Sequence, residues 1–403
     1  MSTDDSNRPT HTRETGSPSV VGGSLTTPQI GVVTNRNLGS PWASTHYYAA
    51  QALGRAGADV QHVAGGYVRR ALGKGPLNFG KRLGKRPGRV DLRELETAVI
   101  SEVATAGYDV LLALHSSFLA TALEQAPCPV IYVTDATADL LQGYYPNRTD
   151  IEPAYARAIE EGERRAIRRA DRVCVPTGWV AQSVIERYHA EPENVAVIEW
   201  GANLETIPAR RTLKPLRSDR PLRLLFVGLD WRRKGGDVAA RVADLLNERG
   251  RRTELHVVGA EVPPDARRPY IISHGELDRA VTDDAKQLES LMQQSDFLTH
   301  PARAECFGHV LCEAMAFGLP VIATDTGGIP QCIDHRETGV LLAPGSAPEE
   351  FASEILRLAD DEAAYLRMSR NARADYEKRL NWDRWASGVL DLVAELRPAD
   401  DPS

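Results

Sequence analysis

From Ile30 onward, short apolar runs rich in Val, Ile and Leu alternate with longer amphipathic stretches, and after a polar break the alternation begins again. Runs of this kind, without polar alternation, read as strands buried on both faces, and helices between them are what a parallel sheet requires. The strands expected in the first series are Ile30–Thr34, Val60–Ala64, Val110–Leu114, Val130–Val133, Val173–Val175 and Val195–Glu199. Helices are expected at Ser44–Ala56, ended by Gly57, and at Leu92–Ala106, Glu152–Ala170 and Trp179–Tyr188. Pro208–Pro221 reads as a linker with three prolines and a cluster of basic residues. The second series places strands at Leu222–Val227, Leu255–Val258, Phe297–Thr299, Val321–Ala323 and Val340–Leu342, with helices at Val238–Arg249, Gly308–Phe317 and Glu349–Ala359. The pattern predicts an α/β chain of two Rossmann-like domains, 30–207 and 222–380, facing a central cleft. A final helix, Trp382–Leu396, follows the second sheet, and its periodicity leaves open whether it packs back on the first domain. Ligands of such sheets lie outside the carboxyl ends of the strands, so the loops there are where chemistry is sought.

At 403 residues the chain is long enough for two domains that bury their own cores without disulfides or structural metals. Its five cysteines, none in a Cys-x-x-Cys pair, fit reduced thiols in a cytoplasmic protein. With 48 basic and 55 acidic residues, a net charge of −7 argues against nonspecific nucleic-acid binding. No run approaches the ~18 apolar residues of a membrane span. Residues 1–29 lack the apolar core of a secretory signal and read as a disordered polar tail.

The most informative stretch is Pro301–Leu342, PARAECFGHVLCEAMAFGLPVIATDTGGIPQCIDHRETGVLL. A strand ends in a loop carrying Glu305, and a helix begins at Phe307, Gly308 and His309. Unpaired first-turn amides and the helix dipole favour an anion there, such as a diphosphate, and Gly308 allows close approach to the backbone. Glu313, two turns in, is placed to accept both hydroxyls of a ribose; Glu305, at the mouth, is placed to accept hydroxyls of a sugar.

The segment ECFGHVLCEAMAFGLPVIATDTGGIPQCI resembles the Glu-x7-Glu signature region of retaining glycosyltransferases of family 4, which have the two-Rossmann GT-B fold. The resemblance extends, at decreasing strength, over about Ile30–Leu396. It implies that Glu305 contacts the donor sugar and Glu313 the nucleotide ribose. In LLFVGLDWRRKGGDVAARVADLL a strand ends at Gly228, and Arg232, Arg233 and Lys234 precede a glycine pair and a helix. Guanidinium and ammonium groups at that point can neutralise a diphosphate. Relatives usually carry Arg directly after the Val-Gly, where this chain has Leu229; the resemblance gives Arg233 that role and sets Lys234 at the family's own lysine, while Arg232 also reads as a solvated turn residue.

In the first domain, Gly39 and Ser40 lie in NLGSPWA, where the family has a Gly-containing loop facing donor phosphates and acceptor. YVTDATADLL carries Asp135 where many relatives have His, and His115 ends another strand. Residues 67–90 hold eight basic and no acidic residues, which suits an anionic membrane surface, a phosphorylated acceptor or simple solvation. There is no Asp-x-Asp pair, no metal-ligand cluster and no P-loop. The expectation is a metal-independent hexosyltransferase without a cofactor, using a UDP- or GDP-linked sugar and a hydroxyl acceptor, cytoplasmic or peripheral on the inner membrane face. A nucleotide-sugar epimerase, a sugar phosphorylase and a non-catalytic nucleotide-sugar-binding protein are the alternatives.

Overall fold

The computed structural model describes residues 26–36, 38–39, 45–72, 91–146, 152–210, 216 and 219–397. Most of the expected tail, Ser40 and the basic segment beyond residue 72 lie outside these described residues.

The first sheet contains β1 (Gln29–Val33), β2 (Asp59–His62), β3 (Val110–Leu114), β4 (Val130–Val133), β5 (Arg172–Val175) and β6 (Val195–Val197). Its order is β2-β1-β3-β4-β5-β6, all pairs parallel. The second sheet contains β7 (Leu222–Gly228), β8 (Thr253–Gly259), β9 (Ile271–Ser273), β10 (Phe297–His300), β11 (Val321–Thr324) and β12 (Gly339–Leu342). Its order is β12-β11-β10-β7-β8-β9, again all parallel. Every residue of β3, β4, β10 and β11 is buried, as strands covered by helices on both faces must be. Each fully buried Val, Leu or Ile contributes about 1.5–3 kcal/mol of transfer free energy.

Local signals set the helix ends. Asp91 accepts the amides of Arg93 (2.9 Å) and Glu94 (3.2 Å) to start the Leu92–Ala106 helix, and Gly107 ends it in the left-handed conformation at φ 68°. Among the elements not expected from sequence are the edge strand β9 and the helices Gly65–Leu72, Thr282–Gln294 and Glu362–Lys378. β9 spans three residues, and Thr282–Gln294 buries only Leu288 and Met292, so neither carries a strong periodic signal. β6 ends at Val197, short of the expected Glu199.

The Trp382–Leu396 helix packs on the Thr45–Arg55 helix of the first domain, and both belong to one apolar cluster. Arg55 pairs with Asp383 at 2.7 Å and Arg172 with Glu395 at 3.3 Å at its margins. The two segments that cross between the sheets touch: Ala202 donates to the Leu380 carbonyl (3.2 Å), and the Trp382 indole donates to Asn203 Oδ1 (3.1 Å).

Candidate active site

Each sheet reverses strand order once beside its first strand, between β1 and β3 and between β7 and β10, and open α/β sheets form their ligand crevices at such points. In the second sheet, β7 ends at Gly228 and β10 at His300, which brings the Arg232–Lys234 turn alongside the Glu305 loop. A Cβ on Gly228 would lie 2.7 Å from Lys234 Cγ, so glycine lets the lysine stem lie across the strand end. Lys234 Nζ forms an ion pair with Glu305 Oε2, and His300 Nε2 lies 3.3 Å from the same oxygen. Facing a carboxylate, His300 is assigned as the Nε2–H tautomer, which leaves only a lone pair at its unpartnered Nδ1. Burial by itself would raise the Glu305 pKa; the Lys234 charge and the His300 hydrogen bond override it and hold the carboxyl well below the usual carboxylate range. Burial, chiefly, lowers the pKa of His300. The result is a buried, ionised carboxylate at the cleft floor.

Arg233 turns inward: Nη1 donates to the Ala304 carbonyl at 2.9 Å, and its guanidinium lies 4.6 Å from the Tyr145 ring centre. Arg232 points away, with its side chain 82 % exposed and 3.8 Å from Asp237. Gly308 precedes the His309–Ala316 helix at φ 95°, a left-handed conformation, and as N-cap it offers no side chain to the first-turn amides. Phe307 is packed in an aromatic cluster with Trp200 and His309, and the His309 ring stacks on Trp200 at 5.4 Å. The His309 ring nitrogens meet Thr45 Oγ1 (2.9 Å) and the Gly201 carbonyl (3.0 Å), so this side chain ties the first domain to the second. Glu313 is 2 % exposed and forms an ion pair with Arg279, whose Nη1 donates to the Asn203 carbonyl at 3.2 Å. Leu229 is 69 % exposed.

In the first domain, a directed hydrogen-bond chain runs from the end of β1 to the cleft. Thr34 Oγ1 meets His46 Nδ1 (2.8 Å), His46 Nε2 meets His115 Nδ1 (2.9 Å), and His115 Nε2 meets Asp135 Oδ1 (2.9 Å). With Asp135 as a carboxylate, the consistent assignment has each group donating toward it. Burial, then the neighbouring His115, lowers the His46 pKa well below its ordinary value, which keeps that ring neutral. Gly39 is exposed in the turn after β1.

Sequence reasoning singled out Glu305, Glu313, Arg233, Lys234, His115 and Asp135; the structure brings Glu305, Lys234 and Arg233 together at the ends of β7 and β10, places Glu313 on the following helix against Arg279, and joins His115 to Asp135 in the first domain. It missed His46, His300, Arg279, Tyr144 and Tyr145. Of these only His300 lay next to a stretch marked for chemistry, one residue before Pro301 and five before Glu305.

Known families match both halves of the chain: the family described as Glycosyltransferase Family 4 over residues 44–206, and Glycosyl transferases group 1 over residues 221–361. A D-inositol 3-phosphate glycosyltransferase of Streptomyces bingchenggensis is 30 % identical over 335 residues, covering 79 % of this chain and 69 % of that protein. The chain belongs to glycosyltransferase family 4. A second protein of the same name, from Paenarthrobacter aurescens, is 31 % identical to the transferase over 59 % of this chain and 61 % of its own length. Among solved structures, sucrose-phosphate synthase from Thermosynechococcus elongatus superposes with a TM-score of 0.66 at 19 % identity, covering 92 % of this chain and 99 % of that one. HepE of Anabaena, in complex with UDP-glucose, superposes at 0.63 and 18 % identity, covering 91 % and 100 %. The transferase shares their GT-B fold. Among the described residues, no helix is long and apolar enough to cross a membrane, and no group of three His, Cys, Asp or Glu side chains is arranged for a metal.

Proposed function

We propose that the transferase moves a hexosyl unit from a nucleoside-diphosphate sugar to a hydroxyl acceptor, with retention at the anomeric carbon and without a metal. The observation that carries this reading is the ionised Glu305 at the strand-reversal point, flanked by Lys234, Arg233 and the amides that follow Gly308. As the glycosidic bond breaks, negative charge builds on the leaving diphosphate, and cations preorganised beside it lower the barrier. Lys234 and Arg233 supply that charge, so the site has its own means of doing what a divalent ion does elsewhere. The acceptor hydroxyl attacks from the face the diphosphate leaves, and a diphosphate oxygen takes its proton. Glu305 accepts sugar hydroxyls, Asp135 faces the sugar from the first domain, and Glu313 accepts the ribose hydroxyls once Arg279 is displaced. HepE holds UDP-glucose and the relatives are named for D-inositol 3-phosphate, so a UDP-sugar and a phosphorylated polyol are the first pair to assay.

The test is proton NMR of the first product formed from a donor of known α configuration: an α-linked product fits, and a β-linked one overturns retention. Activity is expected to survive EDTA; complete loss, restored by magnesium or manganese, counts against a metal-free site. Glu313→Ala is expected to weaken UDP or GDP binding about tenfold or more in calorimetry, because a carboxylate accepting hydroxyls makes charge-assisted hydrogen bonds. Unchanged affinity would remove the ribose assignment.

A further inference from the structure

The stretch 142–146 of the first domain reaches across the cleft, after a turn at Gly143 with φ 76°. Tyr144 Oη accepts the Glu305 N–H at 3.0 Å and lies 3.0 Å from Thr326 Oγ1 and 3.3 Å from the Glu305 carbonyl. Its ring is set by Trp179, 5.3 Å away. Tyr145 places its ring 4.6 Å from the Arg233 guanidinium carbon, while its hydroxyl meets Arg233 Nη1 at 3.4 Å and Cys306 Sγ at 3.3 Å. Two adjacent side chains of one domain thus hold the backbone of the Glu305 loop and the cation of the neighbouring turn in the other.

We propose that Tyr144 and Tyr145 form a clasp that holds the cleft closed over the donor site, with Tyr145 as the positioning residue that aims Arg233. The second half rests on the diphosphate role proposed above for Arg233; the first half does not. An aromatic face fixes the plane of a guanidinium through the ring quadrupole and leaves its charge unneutralised. Asp230, in an ion pair with Arg233 Nε at 3.9 Å, lies beyond hydrogen-bond reach of it, so the Tyr145 ring and the Ala304 carbonyl are what set the plane of the guanidinium. Burial first, then Glu305, raises the Tyr145 pKa far above its ordinary value, so its hydroxyl stays un-ionised and accepts from Arg233 Nη1 without adding a charge. Neither tyrosine has a part in the chemistry itself.

The closing experiment has two arms. Small-angle scattering of the nucleotide-free protein reads the clasp alone: the double variant Tyr144→Ala/Tyr145→Ala is expected to have a larger radius of gyration than wild type, with folding checked by circular dichroism. An unchanged radius overturns the clasp, whatever the donor is. The second arm follows acceptor-free hydrolysis of UDP-glucose, UDP-N-acetylglucosamine and GDP-mannose, using whichever turns over fastest. Tyr145→Ala is expected to lower kcat about tenfold with KM for the donor within about twofold, whereas Tyr145→Phe, which keeps the ring, stays close to wild type. Phenylalanine as damaging as alanine overturns the role of the ring. Wild type that binds neither UDP nor GDP in calorimetry overturns the donor reading and with it the aiming of Arg233, and scattering alone then decides the clasp.

Discussion

Lys234→Ala is expected to lower kcat by a hundredfold or more, with a smaller change in donor affinity. A preorganised donor aimed at developing charge contributes about 3 kcal/mol to the transition state, and that is a factor above a hundred in rate. Arg233→Ala is expected to follow the same pattern, while Arg232→Ala, whose side chain stands in solvent, should stay within about twofold. Steady-state kinetics on the three variants decides the register of this turn: near-normal turnover in Lys234→Ala removes the donor-site assignment, and a dead Arg232→Ala shifts it by one residue. The same lysine has a second, independent signature. In wild type the Glu305 pKa is depressed, so its contribution to stability is present above the unfolded carboxylate value of ~4.3 and is lost as pH falls toward the folded one. Without Lys234 the opposing burial effect dominates and the folded pKa rises. The sign then reverses: Lys234→Ala should be more stable to urea near pH 4.5 than near pH 7.5, while wild type is not. Stranding a buried carboxylate costs about 3–5 kcal/mol, enough to read in the midpoint.

Gly235→Ala should lower the stability of the second domain by about 3 kcal/mol, or roughly 6–12 °C in its melting midpoint. Gly235 has φ 76°, and a Cβ there would overlap the Pro301 carbonyl, four residues ahead of Glu305. The strain of a left-handed alanine is about 1–2 kcal/mol, and the rest comes from pushing one backbone against another. Gly250→Ala isolates the first contribution, since Gly250 has φ 80° and open space where its Cβ would go. A calorimetric melt in which the two variants lose equal stability would mean that the approach of Pro301 is not what this glycine serves.

The buried strands were legible in the sequence because both of their faces are covered, which writes continuous Val, Leu and Ile runs such as Val110–Leu114. Helices with sharp ends were legible for the same kind of reason, Asp91 and Gly107 being chemical signals read locally. The Thr282–Gln294 helix was not, because it presents mostly polar residues and lies on the outside of the sheet. In the site, Glu305, Glu313 and Lys234 stood out through local spacing. Their partners did not: Lys234 and Glu305 are 71 residues apart, Arg233 and Tyr145 are 88 apart, and His46 and His115 are 69 apart. Such pairings are decided by the order of strands within a sheet and, for Arg233 and Tyr145, by the facing of one sheet's loops on the other's, neither of which the apolar pattern encodes.

The returning C-terminal helix has a mechanical consequence. Two covalent connections leave the second domain for the first, and they run side by side, joined through Ala202 to Leu380 and Asn203 to Trp382. A body attached by one flexible tether can rotate about three axes; one attached by two adjoining straps bends most readily about the line they share. Opening and closing then reduce to a single angle. The contact of Thr45 with His309 lies beside these straps, with His309 stacked on Trp382 at 5.9 Å, and that of Tyr145 with Arg233 joins the donor-side turn to the first domain. A transferase hinged in this way has one preferred direction of bending in place of three free rotations.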